Sequence, residues 1–185
     1  MGSIALALAL LTRGAEARSC GGVTYADSKV VAGKNLVLNG MGIREATVFK
    51  VDVYVAGLYL EKRGTDGPEI ARSEQVKVMA LTLVRDVESG EMNEAIEGGF
   101  KKNAGERFKS LVARIEKFKK AMPDLHEKDV LELTYAPQQG LSVKVNGKVR
   151  AQIEGADFAS TLFLIWLGPN PPNPGLKRGL LGGRC

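Results

Sequence analysis

The chain has 185 residues, 44% of them hydrophobic and 25% charged, which suits one globular domain with a real core and excludes a low-complexity or disordered class. The net charge is +5, and much of the excess lies close together at Lys101, Lys102, Arg107, Lys109, Arg114, Lys117, Lys119 and Lys120. No nucleic-acid motif or aromatic stacking platform accompanies it, and Glu97, Glu106 and Glu116 are interspersed, so the run reads as the solvated face of a helix without a nucleic-acid partner; peripheral contact with an anionic membrane stays open.

In chain order, the first feature is the apolar run Ile4–Leu11, followed by Ala15-Glu16-Ala17, a small-x-small site of the kind that ends a secretory signal. The basic region that usually precedes such a run is missing, and the run is too short to span a bilayer. The sequence therefore divides into a signal-like segment or N-terminal arm, residues 1–19, and a single domain, residues 20–185. The two cysteines, Cys20 and Cys185, have no CxxC or metal-ligand spacing. Either they pair and tie the termini together, as an exported chain permits, or they are unpaired thiols on the tails.

Val30–Leu38 alternates weakly and contains one or two short strands near Gly33, leading into a turn at Gly40-Met41-Gly42. From Phe49 to Leu60 the alternation is strong. Phe49, Val51, Val53, Val55, Gly57 and Tyr59 form one face; the other runs Lys50, Asp52, Tyr54, Ala56, Leu58, Leu60 and becomes apolar as it proceeds. That pattern predicts a strand passing from an edge into the buried middle of a sheet. Arg44 precedes it, and a cation held where a strand becomes buried needs an anion or must reach water. Glu45 or Asp52 could pair with it, solvent could take it, or a ligand could.

Gly64–Pro68 ends this strand, Glu69–Arg72 forms a single helical turn, and Val76–Val84 is a second strand, apolar on both faces towards its end. Ser89 is the expected cap of a helix with Met92, Ala95, Ile96 and Phe100 on one side; Asn103-Ala104-Gly105 breaks it. A second helix carries Phe108, Leu111, Val112, Ile115, Phe118 and Met122 at helical spacing and ends at Pro123. Val130–Tyr135 is a strand, and Asn146-Gly147 is a strong hairpin signal between Leu141–Val145 and Lys148–Ile153. Gly155-Ala156-Asp157 opens a helix through Leu167, anchored by Phe158, Leu162, Ile165 and Trp166; a proline-rich loop and a last helix through Leu181 follow. The order of elements predicts an α+β fold: an antiparallel sheet, in the manner of an open-faced sandwich, covered on one face by helices.

The usual chemistry has little support. The one histidine, His126, lies in a loop without a triad partner, Ser89 and Ser160 have no visible base, and neither a phosphate loop nor a metal-ligand spacing is present. No cofactor is expected.

Gly40-x-Gly42-x-Arg44, a short spacer and a strand ending Gly57-Leu58-Tyr59-Leu60 resemble the chalcone isomerase superfamily. Arg85-Asp86-Val87-Glu88-Ser89-Gly90, then Leu167-Gly168-Pro169 and Pro174–Gly182, resemble that group's later motifs in the right order, so the resemblance covers residues 29–182. The superfamily holds plant chalcone-flavanone isomerases, plastid fatty-acid-binding proteins and bacterial periplasm-type proteins, and this chain is most similar to the last. The resemblance implies an open-faced sandwich of sheet and helices with a cleft between them, and a periplasmic or secreted location.

The resemblance also implies a site. The isomerases use an arginine after the Gly-x-Gly, a strand threonine, a helical tyrosine and asparagine, and a C-terminal threonine or serine. Carried over by position these fall on Arg44, Tyr54, Phe108, Ile115 and Ile165, so only the arginine is kept. In the fatty-acid-binding members an arginine and a tyrosine hold the carboxylate. The expectation is thus a non-catalytic protein holding a fatty acid or similar amphipathic anion, its head at Arg44 and Tyr54 and its tail along Leu58, Leu83, Phe108, Leu111, Ile115, Leu162 and Ile165. A structural or assembly protein of the envelope without a small ligand, and a chalcone-flavanone isomerase acting as an intramolecular lyase, are the alternatives; Tyr54 can also be an ordinary core tyrosine. One geometric condition attaches: in a straight strand Arg44 and Tyr54 would stand about 33 Å apart at roughly 3.3 Å per residue, so the chain must reverse near Thr47–Lys50 for them to share a ligand.

Overall fold

The computed structural model describes residues 16–46 and 51–185, so the apolar run Ile4–Leu11, Ala15 of the small-x-small site and the segment Thr47–Lys50 lie outside the described residues. A short ribbon, β1 (Ala17–Cys20) and β2 (Val23–Ala26), precedes a seven-stranded sheet. Its strands are β3 (Ser28–Val31), β4 (Lys34–Ala46), β5 (Val51–Leu60), β6 (Lys77–Leu83), β7 (Val130–Ala136), β8 (Gly140–Val145) and β9 (Lys148–Ile153). They neighbour one another in chain order and every pair is antiparallel. The helices are α1 (Gly67–Arg72), α2 (Ser89–Ala104), α3 (Phe108–Lys120), α4 (Ala156–Leu167) and α5 (Pro174–Leu180). Among the described residues no helix is long and apolar enough to cross a membrane.

The alternation in the strands explains the layering. Ala56, Leu58 and Leu60 of β5 and Met79, Leu81 and Leu83 of β6 belong to the large core beneath the helices. Val55, Tyr59, Val76 and Val78 face the opposite side and join a smaller cluster with Cys20, Leu36 and Leu38. The β1–β2 ribbon lies on that second face. Tyr25 anchors it, its hydroxyl meeting Thr82 Oγ1 at 2.7 Å and donating to the Val55 carbonyl at 3.1 Å, while Tyr59 donates to the Ala26 carbonyl at 2.9 Å. Cys20 is bonded to Cys185, so the ribbon is tied to the C-terminus by a disulfide, and of the two readings the sequence leaves open the pairing holds. The sheet is therefore not bare opposite the helices, as an open-faced sandwich alone would have it.

Two local expectations are corrected. Gly40 and Gly42 form no turn: both sit inside β4, paired with Leu58 and Ala56. Their lack of a side chain admits the backbone of α5, since a Cβ on Gly40 would stand 2.1 Å from the Gly179 carbonyl oxygen and one on Gly179 would stand 2.1 Å from that of Met41. Asn39, the extra residue of a bulge between Leu38 and Gly40, fixes the same seam by donating to the Leu180 carbonyl at 2.8 Å. Ser89 is likewise not the cap of α2; Glu88 holds that position without a side-chain bond, and Asp124 accepts from the Ser89 amide at 2.8 Å instead.

Among the described residues Lys77 is the one charged side chain in the buried part of the sheet, 1% exposed. Its ammonium donates to the carbonyls of Ile70, Ala71 and Ser73 at 3.0, 2.9 and 2.6 Å, and so satisfies the C-terminal end of α1. Burial pushes its pKa down to about 8, with Glu74 opposing.

Candidate functional site

Strand β4 ends at Ala46, and β5 begins opposite it at Val51. This antiparallel return makes Arg44 and Tyr54 direct cross-strand partners, so the reversal that a shared ligand requires is present. A register shift between Arg44 and Glu45 leaves Val53 as the extra residue of the ladder. Strict alternation would send Val53 and Tyr54 to opposite faces; both instead join the helix-side core. The bulge thus aims two successive side chains at the helices just where β5 leaves the sheet's edge.

Opposite them the helical layer leaves a cleft of about 310 Å³. Its walls are β4 and β5 at Arg44, Ala46, Val53 and Tyr54; α2 from Glu91 to Lys102; Ile165 and Trp166 of α4; and the loop at Asn170, Pro171 and Pro172. Helix α2 lies close to α4 because Gly99 faces Ile165: a Cβ there would stand 2.8 Å from the Ile165 side chain. Most of the wall is apolar, and the polar groups are Arg44, Tyr54, Glu91, Glu94, Lys102 and Asn170.

Arg44 is half-buried and donates to the carbonyl of its neighbour Glu45. Among the described residues it forms no salt bridge, neither with Glu45 nor with Asp52. Tyr54 is 6% exposed and accepts a hydrogen bond from the Trp166 indole N–H at 2.9 Å. Burial pushes its pKa up to about 12; the Trp166 hydrogen bond and the charge of Arg44 pull the other way, and the phenol is neutral at ordinary pH. Glu91 is engaged by Arg85, whereas Glu94 has no salt-bridge partner among the described residues.

Of the residues named from the sequence, the structure brings Arg44, Tyr54 and Ile165 together at the cleft. Leu58, Leu83, Leu111, Ile115 and Leu162 are in the filled core, none more than 2% exposed, and do not line it. Phe108 is half-buried on α3 with Lys101 over its ring, also away from the cleft. The helix that faces Arg44 is α2, not α3, and its wall residues include no hydroxyl. Sequence reasoning missed Val53, Met92 and Ile96 as wall residues and placed Trp166 only as a packing anchor. His126 is exposed, 3.6 Å from Asp86. Among the described residues no cluster of His, Cys, Asp and Glu could hold a metal.

One antiparallel sheet, with a helical layer that opens over an arginine and a tyrosine, thus forms a mostly apolar cleft. The chain belongs to the chalcone isomerase-like family, whose profile matches residues 17–182. Among solved structures it is similar to a fatty-acid binding protein of Arabidopsis thaliana, with a TM-score of 0.70 at 16% identity over 90% of this chain and 96% of that one. At that identity the likeness establishes the fold. None of the curated proteins matches the sequence.

Proposed function

We propose that this protein is a non-catalytic binder of a fatty acid or similar amphipathic anion, with Arg44 and Tyr54 on the head group and the tail in the cleft. The observation that carries this reading is the meeting of Arg44 and Tyr54, as cross-strand partners, on the wall of one mostly apolar cleft. A volume of about 310 Å³ sits at the small end of ligand sites and suits a medium-length tail. That tail runs along Val53, Met92, Ile96, Ile165 and Trp166, in place of the core leucines expected from the sequence. The Arabidopsis protein of the same fold is a fatty-acid binding protein, which supports the ligand class. Isomerase chemistry is disfavoured because, among the described residues, Tyr54 is the sole hydroxyl on the cleft wall, leaving little to polarise a ketone. A periplasmic or secreted location accompanies the proposal, supported by the Cys20–Cys185 disulfide.

Calorimetric titration with decanoate and with decanol tests it. Decanoate binds the wild type more tightly than decanol does. Arg44→Ala weakens decanoate by about ten- to a hundredfold, roughly 1.5–3 kcal/mol for a charge-assisted contact, and leaves decanol nearly unchanged. Equal affinities for acid and alcohol, or an indifferent Arg44→Ala, remove Arg44 from the head-group site. Absence of binding by either ligand would leave a structural or assembly role of the envelope as the reading. Turnover of a chalcone above the spontaneous rate, lost in Arg44→Ala, would make the protein an isomerase.

A further inference from the structure

The Tyr54 hydroxyl is held in a particular hydrogen-bonding state. An indole N–H can only donate, and Trp166 Nε1 donates to Tyr54 Oη at 2.9 Å inside the protein, where the two side chains are 2% and 6% exposed. A phenol has one hydrogen and accepts through its oxygen. With the accepting side used by Trp166, the phenol's own hydrogen is directed elsewhere, and among the described residues no protein atom accepts it. Tyr54 lies on the cleft wall beside Arg44, which also only donates. Arg44 and Tyr54 therefore present a pair of donors to the cleft, with no acceptor from either residue. A buried donor left without an acceptor is costly, and a ligand oxygen removes that cost.

We propose that Trp166 is a positioning and specificity residue: by donating to Tyr54 it fixes the phenol as a hydrogen-bond donor into the cleft, and so sets the preference of the site for acceptor-only head groups such as carboxylate over hydroxyl or ammonium heads. The proposal rests on the reading of the cleft as a lipid-anion site and adds the device that discriminates between heads. A ligand hydroxyl offers an acceptor but brings a hydrogen that Arg44 cannot take and for which the Tyr54 oxygen, already accepting from Trp166, is a poor partner; an alkylammonium brings three such hydrogens and no acceptor for either donor. Trp166 does not touch the head group in this scheme; it acts through Tyr54. Polarisation along the chain from indole to phenol to carboxylate strengthens each link, since a phenol that donates to an anion becomes a better acceptor for the indole.

The test is a cycle of Tyr54→Phe, Trp166→Phe and the double variant, titrated calorimetrically with decanoate, decanol and decylammonium, each variant first checked for a native circular dichroism spectrum. Tyr54→Phe weakens decanoate about tenfold and Trp166→Phe about two- to tenfold. The acid-over-alcohol ratio of the double variant is no lower than that of Tyr54→Phe alone, because Trp166 has nothing left to position, while any loss of tail packing against Trp166 falls on both ligands alike. The acid-over-alcohol ratio falls in Trp166→Phe. Losses of that ratio that simply add in the double variant, or Trp166→Phe losses that fall equally on decanoate and decanol, mean that Trp166 only packs, and overturn the proposal while leaving Arg44 in place. If the wild type binds no decanoate, this proposal and the proposed function fall together. A second measurement stands even where Trp166→Phe fails to fold. The protein has a single tryptophan, so its indole N–H gives one cross-peak in a ¹⁵N-edited spectrum. Decanoate moves that proton downfield in the wild type, decanol moves it less, and in Tyr54→Phe the downfield response is lost. An indole proton that responds equally to both ligands, or equally in Tyr54→Phe, contradicts the coupling.

Discussion

Two cations stand on the same side of the sheet, and their surroundings differ in a way that separates structure from function. Lys77 is 1% exposed and donates to three backbone carbonyls at the end of α1, so all three of its donors are partnered within the protein even though burial lowers its pKa. Arg44 is half-buried, donates to the carbonyl of its own neighbour and borders an apolar cleft. The ammonium of Lys77, a compact point charge with three donors, suits a ring of carbonyls; the planar fork of Arg44 suits a carboxylate. A buried cation whose donors are all accounted for is part of the scaffold, and one that borders a cleft with no salt-bridge partner among the described residues is a candidate for a ligand.

The sharpest way to break this contrast is to exchange the expected losses. Lys77→Ala strands three buried carbonyls and opens a cavity, and lowers stability by about 3 kcal/mol or more in urea unfolding. Arg44→Ala changes stability by no more than about 0.5 kcal/mol by the same measurement. A strongly destabilised Arg44→Ala would make Arg44 a scaffold residue like Lys77.

Next in size is the tie between the second face and the C-terminus. Replacing Cys20 and Cys185 together by serine removes about 2–4 kcal/mol of stability, measured by urea unfolding, because the bond closes a loop that spans most of the chain. The cleft lies on the other face of the sheet, so decanoate affinity at a temperature where the variant stays folded is unchanged.

The pH dependence isolates Lys77. Its pKa is about 8 in the fold against an ordinary 10.5, so between these values the unfolded chain binds more protons and stability rises with pH. Tyr25, Tyr54, Tyr59 and Tyr135 are pushed by burial from 10.0 up to about 12, so above about pH 10 the unfolded chain loses protons first and stability falls. Unfolding free energy measured from pH 7 to 11 accordingly rises from about pH 8 and turns down near pH 10. In Lys77→Met the rise disappears and the fall remains.

The smallest effect concerns Glu94, a carboxylate on the cleft wall with no salt-bridge partner among the described residues. Glu94→Gln relieves repulsion of an anionic head and tightens decanoate by about two- to threefold in low salt, an effect that fades as salt is added.

Much of this arrangement could be read from the residues, and the exceptions share a cause. Period-two patterns assigned Ala56, Leu58 and Leu60 of β5 and Met79 and Leu81 of β6 to one face because alternation reports a side chain's direction. Asn146-Gly147 gave its hairpin because both residues adopt positive φ, 49° and 76°. Gly40 and Gly42 misled because a glycine pair reads locally as a turn, whereas their reason is the backbone of α5, folded back from the other end of the chain. The expected tail residues other than Ile165 lie off the cleft for a related reason. Apolar spacing marks Leu58, Leu111 and Leu162 as interior but does not say which part of the interior is empty. Trp166 escaped notice as a cleft-wall residue because α4 is buried on nearly every side, from Phe158 to Leu167, and a helix that is apolar all round offers no face to choose. Arg44 was legible because a lone cation ahead of a buried strand demands an explanation from sequence alone.

The most direct test of the central claim uses the protein's single tryptophan, which lines the cleft and donates to Tyr54. Trp166 fluorescence is followed as decanoate is added to the wild type and to Arg44→Ala. A saturable change is expected in the wild type, with the same change in Arg44→Ala displaced to about ten- to a hundredfold higher concentration. Fluorescence that stays flat while calorimetry registers decanoate binding would place the ligand elsewhere, and identical curves for the two proteins would contradict the assignment of Arg44 to the head group.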